Sequence, residues 1–275
     1  MRSAPRRLIV NADDFGLSHS VNEAVIRAHR EGILTTASLM VNEAASAGAV
    51  KLAKENPTLG VGLHLALTHG KSALRQAEIP SLVDSRGEFS THAPTAGLRY
   101  FCSARCRADL RKEIPAQFDK FRATGLPMDH VNGHLHLHLH PVVLGILLEN
   151  AAGWGIRAMR LTVDPFFLNA RLAGGRWLYR LSHALIFRAL SARAAPLLRA
   201  KGVRSAQRVF GLLQNARVDG AYIQRLLPEL PPGDSELYSH PSLDQFKQEF
   251  DALVDPAVKS RVQALGIQLI RCQDL

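Results

Sequence analysis

Three short stretches of the sequence carry side chains that bind metal ions. Asp13 and Asp14 are adjacent, His64 lies in an apolar run, and five histidines fall between His130 and His140. Neutral imidazole and carboxylate are common ligands of divalent metals. A catalytic metal typically takes three protein ligands and leaves a position for water, so the five histidines cannot all bind one ion. The sequence therefore predicts one metal site built from distant stretches.

The two adjacent aspartates need a bend in the chain if both are to serve this site. Neighbouring side chains on a regular strand point to opposite faces. A turn at Phe15-Gly16 would bring both carboxylates to one side, because glycine tolerates backbone angles that other residues avoid. One carboxylate could then bind a cation while the other stays free as a base. The ordinary alternative for such a pair is a helix cap or a turn.

Other polar residues are expected near the same site. His240 follows a late strand-like run and could donate a proton to a leaving group, although a turn residue before Pro241 is the alternative. Arg160 ends another strand-like run, and we expect it to contact substrate. His64, alone on an apolar strand, could equally be a buried histidine with satisfied hydrogen bonds. Tract histidines that are not ligands should be hydrogen-bond partners or surface residues.

Short strand-like runs alternate with helical patterns along the chain. The runs are Leu8 to Ala12, Thr36 to Val41, Gly60 to Leu67, Met128 to Asn132, Ala158 to Thr162, Arg208 to Leu212, Glu236 to Ser239 and Ile267 to Ile270. The first helix is expected from about Ser20, where Ser20 and Glu23 form a capping-box pair. This alternation predicts an α/β fold, a closed or nearly closed (β/α) barrel, in which the carboxyl ends of the strands meet on one face.

The composition fits one domain over residues 1–275 with a basic helical insertion at about 165–205. A chain of 275 residues with 47% hydrophobic and 21% charged residues suits a single large globular domain. The stretch from Lys71 to about Tyr100 has Pro, Gly and Ser punctuation, which indicates an excursion over the surface. The Arg-rich stretch interrupts the alternation of strands and helices and predicts one or two added helices.

The sequence predicts a cytoplasmic protein. Arg6-Arg7 precede only three apolar residues, which is too short for a signal peptide. The apolar stretch from Pro141 is broken by Glu149 before it reaches the roughly 20 residues that a membrane span needs. The three cysteines form no CxxC pair, which fits a reducing compartment.

Positive charge is concentrated in one part of the chain. Between Arg157 and Arg208 there are eleven Arg or Lys residues and a single acid, Asp164. The stretch from Arg171 to Ala200 mixes arginines with large apolar residues. It is either a lid or packing helix with a solvated basic face, or a helix that lies on an anionic membrane surface. No nucleic-acid-reading motif accompanies the charge, so no nucleic-acid partner is expected.

With these motifs in view, the chain resembles the YdjC-like carbohydrate deacetylases, and most closely their hopanoid-biosynthesis-associated HpnK group. The resemblance rests on Asn11 to Ser18, Gly62 to Leu65, the histidine tract and Glu236 to Pro241. It implies an irregular TIM-like barrel of the polysaccharide-deacetylase type with one divalent ion, zinc or magnesium. By motif position, the implied ligands are Asp14, His64 and His134, and the implied general base is Asp13.

The resemblance also implies a substrate. Chito-oligosaccharide deacetylases of the family tend to have Asp-Ser-His-His-His where this chain has Asn-Gly-His-Leu-His from Asn132 to His136. This difference favours the hopanoid group, whose implied substrate is an N-acetylglucosaminyl hopanoid lipid, with peripheral membrane contact. Asn132, His136, His138 and Arg160 are then expected to bind substrate or to support the ligands.

Three alternatives stay open. The first is a chito-oligosaccharide deacetylase that acts on soluble N-acetylated sugars. The second is a non-catalytic sugar- or lipid-binding protein with a metal-stabilised loop. The third, a metal-dependent phosphoesterase, often uses two metals about 3.5–4 Å apart instead of one.

Overall fold

In the computed structural model, which describes residues 4–275, seven strands form one sheet. The strands are β1 (Arg6–Phe15), β2 (Thr36–Leu39), β3 (Gly60–Leu65), β4 (Val131–Gly133), β5 (Arg208–Phe210), β6 (Gly233–Ser239) and β7 (Gln268–Leu269). Their order is β4-β3-β2-β1-β6-β5, and β7 pairs with the start of β1. The described strand pairings are all parallel. The first three residues of the predicted 1–275 domain lie outside the described part.

The extended segment 158–163 joins the two edge strands and closes the sheet into a barrel. On one side, the Val131 N–H of β4 donates to the Ala158 carbonyl at 3.0 Å. On the other side, the Val209 N–H of β5 donates to the Val163 carbonyl at 3.1 Å. The segment forms isolated bridges instead of the predicted strand, because a tight turn from Leu161 to Val163 interrupts the ladder. The predicted α/β barrel is confirmed.

Helices connect the strands and cover the outside of the barrel. They are α1 (His19–Glu31), α2 (Ser46–Lys54), α3 (Ala93–Cys102), α4 (Ala104–Ala123), α5 (Pro141–Glu149), α6 (Phe166–Leu172), α7 (Trp177–Ala200), α8 (Gly220–Leu226), α9 (Lys247–Val254) and α10 (Pro256–Ala264). The predicted basic stretch forms α6 and α7. Among residues 4–275, we find no helix with the length and apolar character needed to cross a membrane.

The start of α1 differs from the predicted capping box. Ser18 is the N-cap, and its hydroxyl accepts from the Val21 backbone N–H at 3.2 Å. Ser20 lies inside the helix, and its hydroxyl accepts from the Leu243 backbone N–H at 3.0 Å. The prediction was wrong because a nearby serine in extended conformation caps the helix, which leaves Ser20 to hold the loop after β6.

The stretch from residue 71 to 100 is more firmly packed than the predicted surface excursion. It ends in α3, and Ile79 and Phe89 are buried in the main core. The fully buried Glu113 of α4 accepts from the backbone N–H groups of Ala73 and Leu74 at 2.7 and 3.0 Å. A side chain thus replaces the missing secondary structure as the hydrogen-bond partner of this segment.

Asp129 fastens the carboxyl-terminal residues to the start of β4. Its carboxylate accepts from the backbone N–H groups of Cys272 and Gln273 at 3.3 and 3.0 Å, and it lies 3.0 Å from Nδ1 of His130. Burial acts to raise the pKa of Asp129, but these donors prevail and lower it. Gly60 leaves the space, because a Cβ there would lie 2.8 Å from Cγ of Asp129.

Replacing Asp129 by Asn should destabilise the fold. The amide cannot satisfy the same set of donors, and an unsatisfied buried group costs about 1–3 kcal/mol. Urea unfolding of both proteins measures this loss. As a control, Asp251→Asn removes an exposed partner of Lys247 and should cost at most about 1 kcal/mol. Equal free energies of unfolding for Asp129→Asn and the parent protein would contradict the fastening role.

Candidate metal and catalytic site

A backbone bend at the end of β1 brings both aspartates to the mouth of the barrel. Asp14 has a φ of +65°, and the β1–β2 register shifts between Ala12 and Phe15. The turn predicted at Phe15-Gly16 is present, because Gly16 has a φ of +97° and the Leu17 N–H donates to the Asp14 carbonyl at 3.0 Å. The bend begins one residue earlier than predicted, at Asp14. Both carboxylates are buried, with 2% and 7% exposure. They approach opposite nitrogens of His64: Oδ1 of Asp13 is 3.8 Å from Nδ1, and Oδ1 of Asp14 is 3.3 Å from Nε2.

The structure brings together the three residues predicted as metal ligands. Oδ1 of Asp14 lies 3.0 Å from Nδ1 of His134 and 3.3 Å from Nε2 of His64. The two imidazole nitrogens are 3.3 Å apart. His64 comes from the buried strand β3, and His134 follows β4 directly. Three ligand atoms from three strand ends thus form a nearly equilateral triangle, and we name this triangle the Asp-His-His cluster.

The spacing of this cluster fits a metal ion. Tetrahedral ligands at about 2.0–2.1 Å from zinc lie about 3.3 Å from one another. Burial acts to raise the pKa of Asp14 and to lower that of His134, but their mutual hydrogen bond and charge lower the first and raise the second. The cluster therefore stabilises positive charge at its centre.

Hydrogen bonding fixes which nitrogen of His64 faces the cluster. The carboxylate of Asp13 only accepts, so the amide Nδ2 of Asn132 donates to it at 2.9 Å. The amide oxygen of Asn132 is then turned to Nδ1 of His64, at 2.7 Å. With its proton on Nδ1, His64 directs the lone pair of Nε2 toward Asp14 and His134. Asn132 thus supports a ligand, and this orientation is what a metal-bound histidine requires.

Asp13 is held by Arg160, a residue expected to contact substrate. The guanidinium donates to both carboxylate oxygens of Asp13, at 2.7 and 3.0 Å, and to Glu236 at 2.8 Å. Its side chain is only 1% exposed, and its charge prevails over burial to keep the pKa of Asp13 well below the usual range. The geometry favours positioning of Asp13 over contact with substrate, because the guanidinium is enclosed by the two carboxylates.

His240 directly follows β6 and carries a proton at neutral pH. Its Nδ1 lies 3.8 Å from the fully buried Glu249, which also accepts from the His240 backbone N–H at 2.6 Å. Burial acts to lower the pKa of His240, but Glu249, Asp14 and Asp13 raise it to about 9. The His240 ring centroid lies 5.8 Å from that of Tyr238, the ring over which the Arg160 guanidinium lies, so His240 is at the same end of the barrel as Asp13.

The other tract histidines lie around the site and not in it. Nε2 of His136 is 3.0 Å from the Tyr238 hydroxyl, and Nε2 of His138 is 3.0 Å from the Arg160 carbonyl. Burial lowers the pKa of both, that of His138 to about 3, so both are neutral. The Arg160 guanidinium lies over the Tyr238 ring, 4.2 Å from its centroid. His136 and His138 therefore support the residue that holds Asp13.

Sequence reasoning missed several residues of this network. Those that lie on strands have no distinctive sequence signal, because a polar residue on a strand looks like part of the usual alternation of apolar and polar residues. His69 is different, because it follows β3 and its ring centroid lies 5.7 Å from that of His134. A histidine four residues beyond the end of a ligand-bearing strand could have been noticed. The missed residues are Asn11, Ser38, His69, Glu236, Tyr238 and Glu249.

A second group with metal-binding side chains has a different explanation. Asp129, His130 and Cys272 are all buried and close together. The carboxylate of Asp129 already accepts three hydrogen bonds, and burial raises the pKa of the Cys272 thiol well above its usual value. A protonated thiol is a poor metal ligand. This group is the fastening of the carboxyl-terminal residues described above.

The fold and the site together define a class of protein. It is an α/β barrel whose carboxylate and imidazole groups gather at the carboxyl ends of the parallel strands, where they can bind a metal ion. Within this class, the chain matches the YdjC-like proteins over residues 7–264, and it belongs to that family. The family assignment made from the motifs is thereby confirmed, whereas the HpnK group within it stays a proposal.

Curated relatives match part of the chain. A carbohydrate deacetylase of Brevibacillus brevis is 46% identical over 145 residues, which are 53% of this chain and 55% of that protein. A carbohydrate deacetylase of Geobacillus stearothermophilus is 41% identical, over 59% of this chain and 66% of that protein. A chitooligosaccharide deacetylase of Yersinia enterocolitica is 38% identical, over 51% and 53%. The chain thus spans about half to two thirds of the length of these relatives.

Solved structures share the fold. A protein from Enterococcus faecalis V583 superposes with a TM-score of 0.76 at 22% identity, covering 98% of this chain and 99% of that one. An uncharacterized protein from Agrobacterium tumefaciens C58 gives a TM-score of 0.57 at 10% identity, covering 100% and 90%. At these identities, the likeness supports the architecture alone.

Replacing Asn132 by Ala should weaken metal binding about 10–100-fold, as expected for loss of the partner that orients a metal-bound histidine. Isothermal titration of the metal-free protein with zinc measures the affinity. His92→Ala, at an exposed histidine, is the control and should leave the affinity unchanged. If Asn132→Ala binds zinc as tightly as the parent protein, the orienting role of Asn132 is wrong.

Proposed function

We propose that this protein is a metal-dependent hydrolase that removes the acetyl group from an N-acetylated amino sugar. One observation carries the proposal. The Asp-His-His cluster lies beside a separate carboxylate, Asp13, whose position is fixed by Arg160. Hydrolysis of an acetamide needs an electrophile, a base for water and an acid for the leaving amine. The names of the curated relatives, carbohydrate and chitooligosaccharide deacetylases, support this reaction class.

Asp14, His64 and His134 are the proposed ligands of one divalent ion. When bound, the ion would supply Lewis-acid chemistry toward water and the acetamide carbonyl. Two nitrogen donors and one carboxylate favour zinc, since imidazole suits zinc, and magnesium is the alternative. A single cluster of this kind also supports a hydrolase with one ion over a two-metal phosphoesterase.

Asp13 is the proposed base. Oδ1 accepts from Arg160, Asn11 and Asn132, whereas Oδ2 accepts from Arg160 alone and keeps a lone pair free. The free lone pair can receive a proton from the attacking water. Because the pKa of Asp13 is held low, its carboxylate is ionised at neutral pH, and its position matters more than its basicity.

His240 is the proposed acid. The water oxygen bonds to the acetyl carbon while Asp13 takes the proton of the water. When the carbon–nitrogen bond breaks, the imidazolium of His240 gives its proton to the departing nitrogen. The products are acetate and a free amine. Glu249 keeps His240 protonated, because its buried charge raises the pKa of the imidazole.

For the substrate, we propose an N-acetylglucosaminyl hopanoid lipid, as in the HpnK group, handled in the cytoplasm with peripheral contact to the membrane. The Asn132-Gly133 departure from the chito-oligosaccharide pattern supports this, as does Leu135, which follows the proposed ligand His134 and is 45% exposed. Three free cysteines fit the cytoplasm. We also propose that residues 1–275 form one domain with a basic insertion at about 165–205.

The Yersinia relative favours a second candidate, a deacetylase of soluble chito-oligosaccharides. Incubating the zinc-loaded protein with N-acetylglucosaminyl hopanoid and with diacetylchitobiose, and measuring acetate from each, separates the two. Release from the lipid alone is the expected result. Release from chitobiose alone would overturn the lipid substrate, and binding of either sugar without acetate would indicate a non-catalytic binding protein.

Asp13→Asn should lower the rate of acetate release about 10²–10⁴-fold, as expected for loss of a general base. Zinc stoichiometry should stay at one ion, because Asp13 is not among the proposed ligands. Asp84→Asn, at an exposed carboxylate, is the matched control. An Asp13→Asn protein that keeps its zinc, its circular dichroism spectrum and its full activity would remove Asp13 from the base role.

The rate should also depend on pH through His240. The pKa of this group is raised, so its acid form is present below about pH 9 and is lost as the pH rises through that value. Glu249→Gln removes the charge that raises the pKa and should move the alkaline fall of the rate about 1–3 pH units lower. The measurement is the rate of acetate release at a series of pH values from about 6 to about 10, a range that reaches roughly one unit above the pKa of His240. An unchanged alkaline limb would contradict the acid role of His240.

A further inference from the structure

The outer face of α7 carries large apolar side chains in contact with solvent. Leu178, Leu181 and Leu185 are exposed by 85%, 47% and 62%. Their spacing of three and four residues places them on one face of the helix. Next to α7, Phe167 in α6 is 82% exposed. Such a contiguous apolar surface is typical of an interaction site rather than of scattered surface hydrophobics.

The opposite face of α7 packs onto the barrel beside the candidate site. Ser191, Ala194 and Leu198 of this face are buried. Phe187 contacts His136, with ring centroids 5.1 Å apart. His136 follows the ligand His134 by two residues, so the helix covers the barrel at the mouth of the site. The helix that carries the apolar outer face therefore packs against the segment that bears His134.

Positive charge accompanies this apolar face. Arg188, Arg193 and Arg199 are exposed on the same helix. From residue 165 to residue 218 the chain has ten Arg or Lys residues and neither Asp nor Glu. A second copy packed face to face would set these arginines against their own counterparts, and the like charges would repel. An anionic lipid surface complements both features, since it offers phosphates to the arginines and an apolar layer to the leucines.

We propose that the outer face of α7 docks onto an anionic lipid bilayer. Leu178, Leu181 and Leu185 enter the boundary between headgroups and acyl chains, while Arg188 and Arg193 contact the phosphates. This inference rests on the membrane contact of the proposed function and names the surface that makes it. It does not depend on the proposed reaction, because lipid binding is measured without substrate.

Co-sedimentation of the full chain with vesicles tests the proposal. Vesicles of phosphatidylcholine with about 30% phosphatidylglycerol should bind the protein, and vesicles of phosphatidylcholine alone should bind it far less. About 0.5 M salt should reduce the binding, because it screens the arginines. Arg188→Glu with Arg193→Glu should weaken binding at least about 20-fold, given about 1 kcal/mol for each basic residue near the surface. Leu178→Ser with Leu181→Ser and Leu185→Ser should also abolish it.

The control variant reverses two arginines away from α7, Arg122→Glu with Arg261→Glu, and should bind as the parent does except for a small uniform loss. Three results would overturn the proposal: no preference for anionic vesicles, equal binding by the α7 charge variant and the control, or a dimer in sedimentation velocity that the leucine variant dissociates while vesicle binding is absent. The last result would assign the face to a second copy. The charge variant keeps the test valid if the leucine variant fails to fold.

Discussion

Two carboxylates that are adjacent in the chain, those of Asp13 and Asp14, are buried at the same end of the barrel. The surrounding residues give each of them a separate set of partners. Among the described residues, Asp13 pairs with Arg160 and receives amide donors, whereas Asp14 lies against the imidazoles of His64 and His134. Buried charges are costly unless they are paired. The first carboxylate therefore has its partner within the protein, and the second has a place for a cation. The left-handed backbone at Asp14 lets both carboxylates reach this end of the barrel, where they lie beside opposite nitrogens of His64.

The same arrangement connects the fold with the proposed chemistry. In the barrel, β2 lies between β1 and β3, and β4 lies next to β3. The carboxyl ends of β1, β3 and β4 therefore place Asp14, His64 and His134 close together. The segment that closes the barrel carries Arg160, so the residue that positions the proposed base is part of the barrel wall. On the other side, Glu249 holds His240 by its backbone and by its charge. Each proposed role thus has its own supporting residue.

Much of this could be predicted from the sequence. The strands near Asp14, His64 and His134 are short apolar runs followed by polar residues, and the parallel alternation implies that their ends meet. The sequence left Arg160 either binding substrate or supporting the ligands, because it does not show that Glu236 and Asp13 enclose the guanidinium. Glu249 was missed because it contacts His240 from a different element, α9, without any local motif. The turn at Phe15-Gly16 could be predicted because glycine is the usual residue with positive φ, whereas the positive φ of Asp14 could not, since an aspartate adopts it less often.

The central claim is that one cation binds between Asp14, His64 and His134. The most direct test is anomalous X-ray diffraction at the zinc absorption edge from crystals of the zinc-loaded protein. A single anomalous peak enclosed by the carboxylate oxygen and the two imidazole nitrogens is the predicted result. A peak at Asp129, His130 and Cys272 instead, or a second ion of equal height beside the first, would contradict the account.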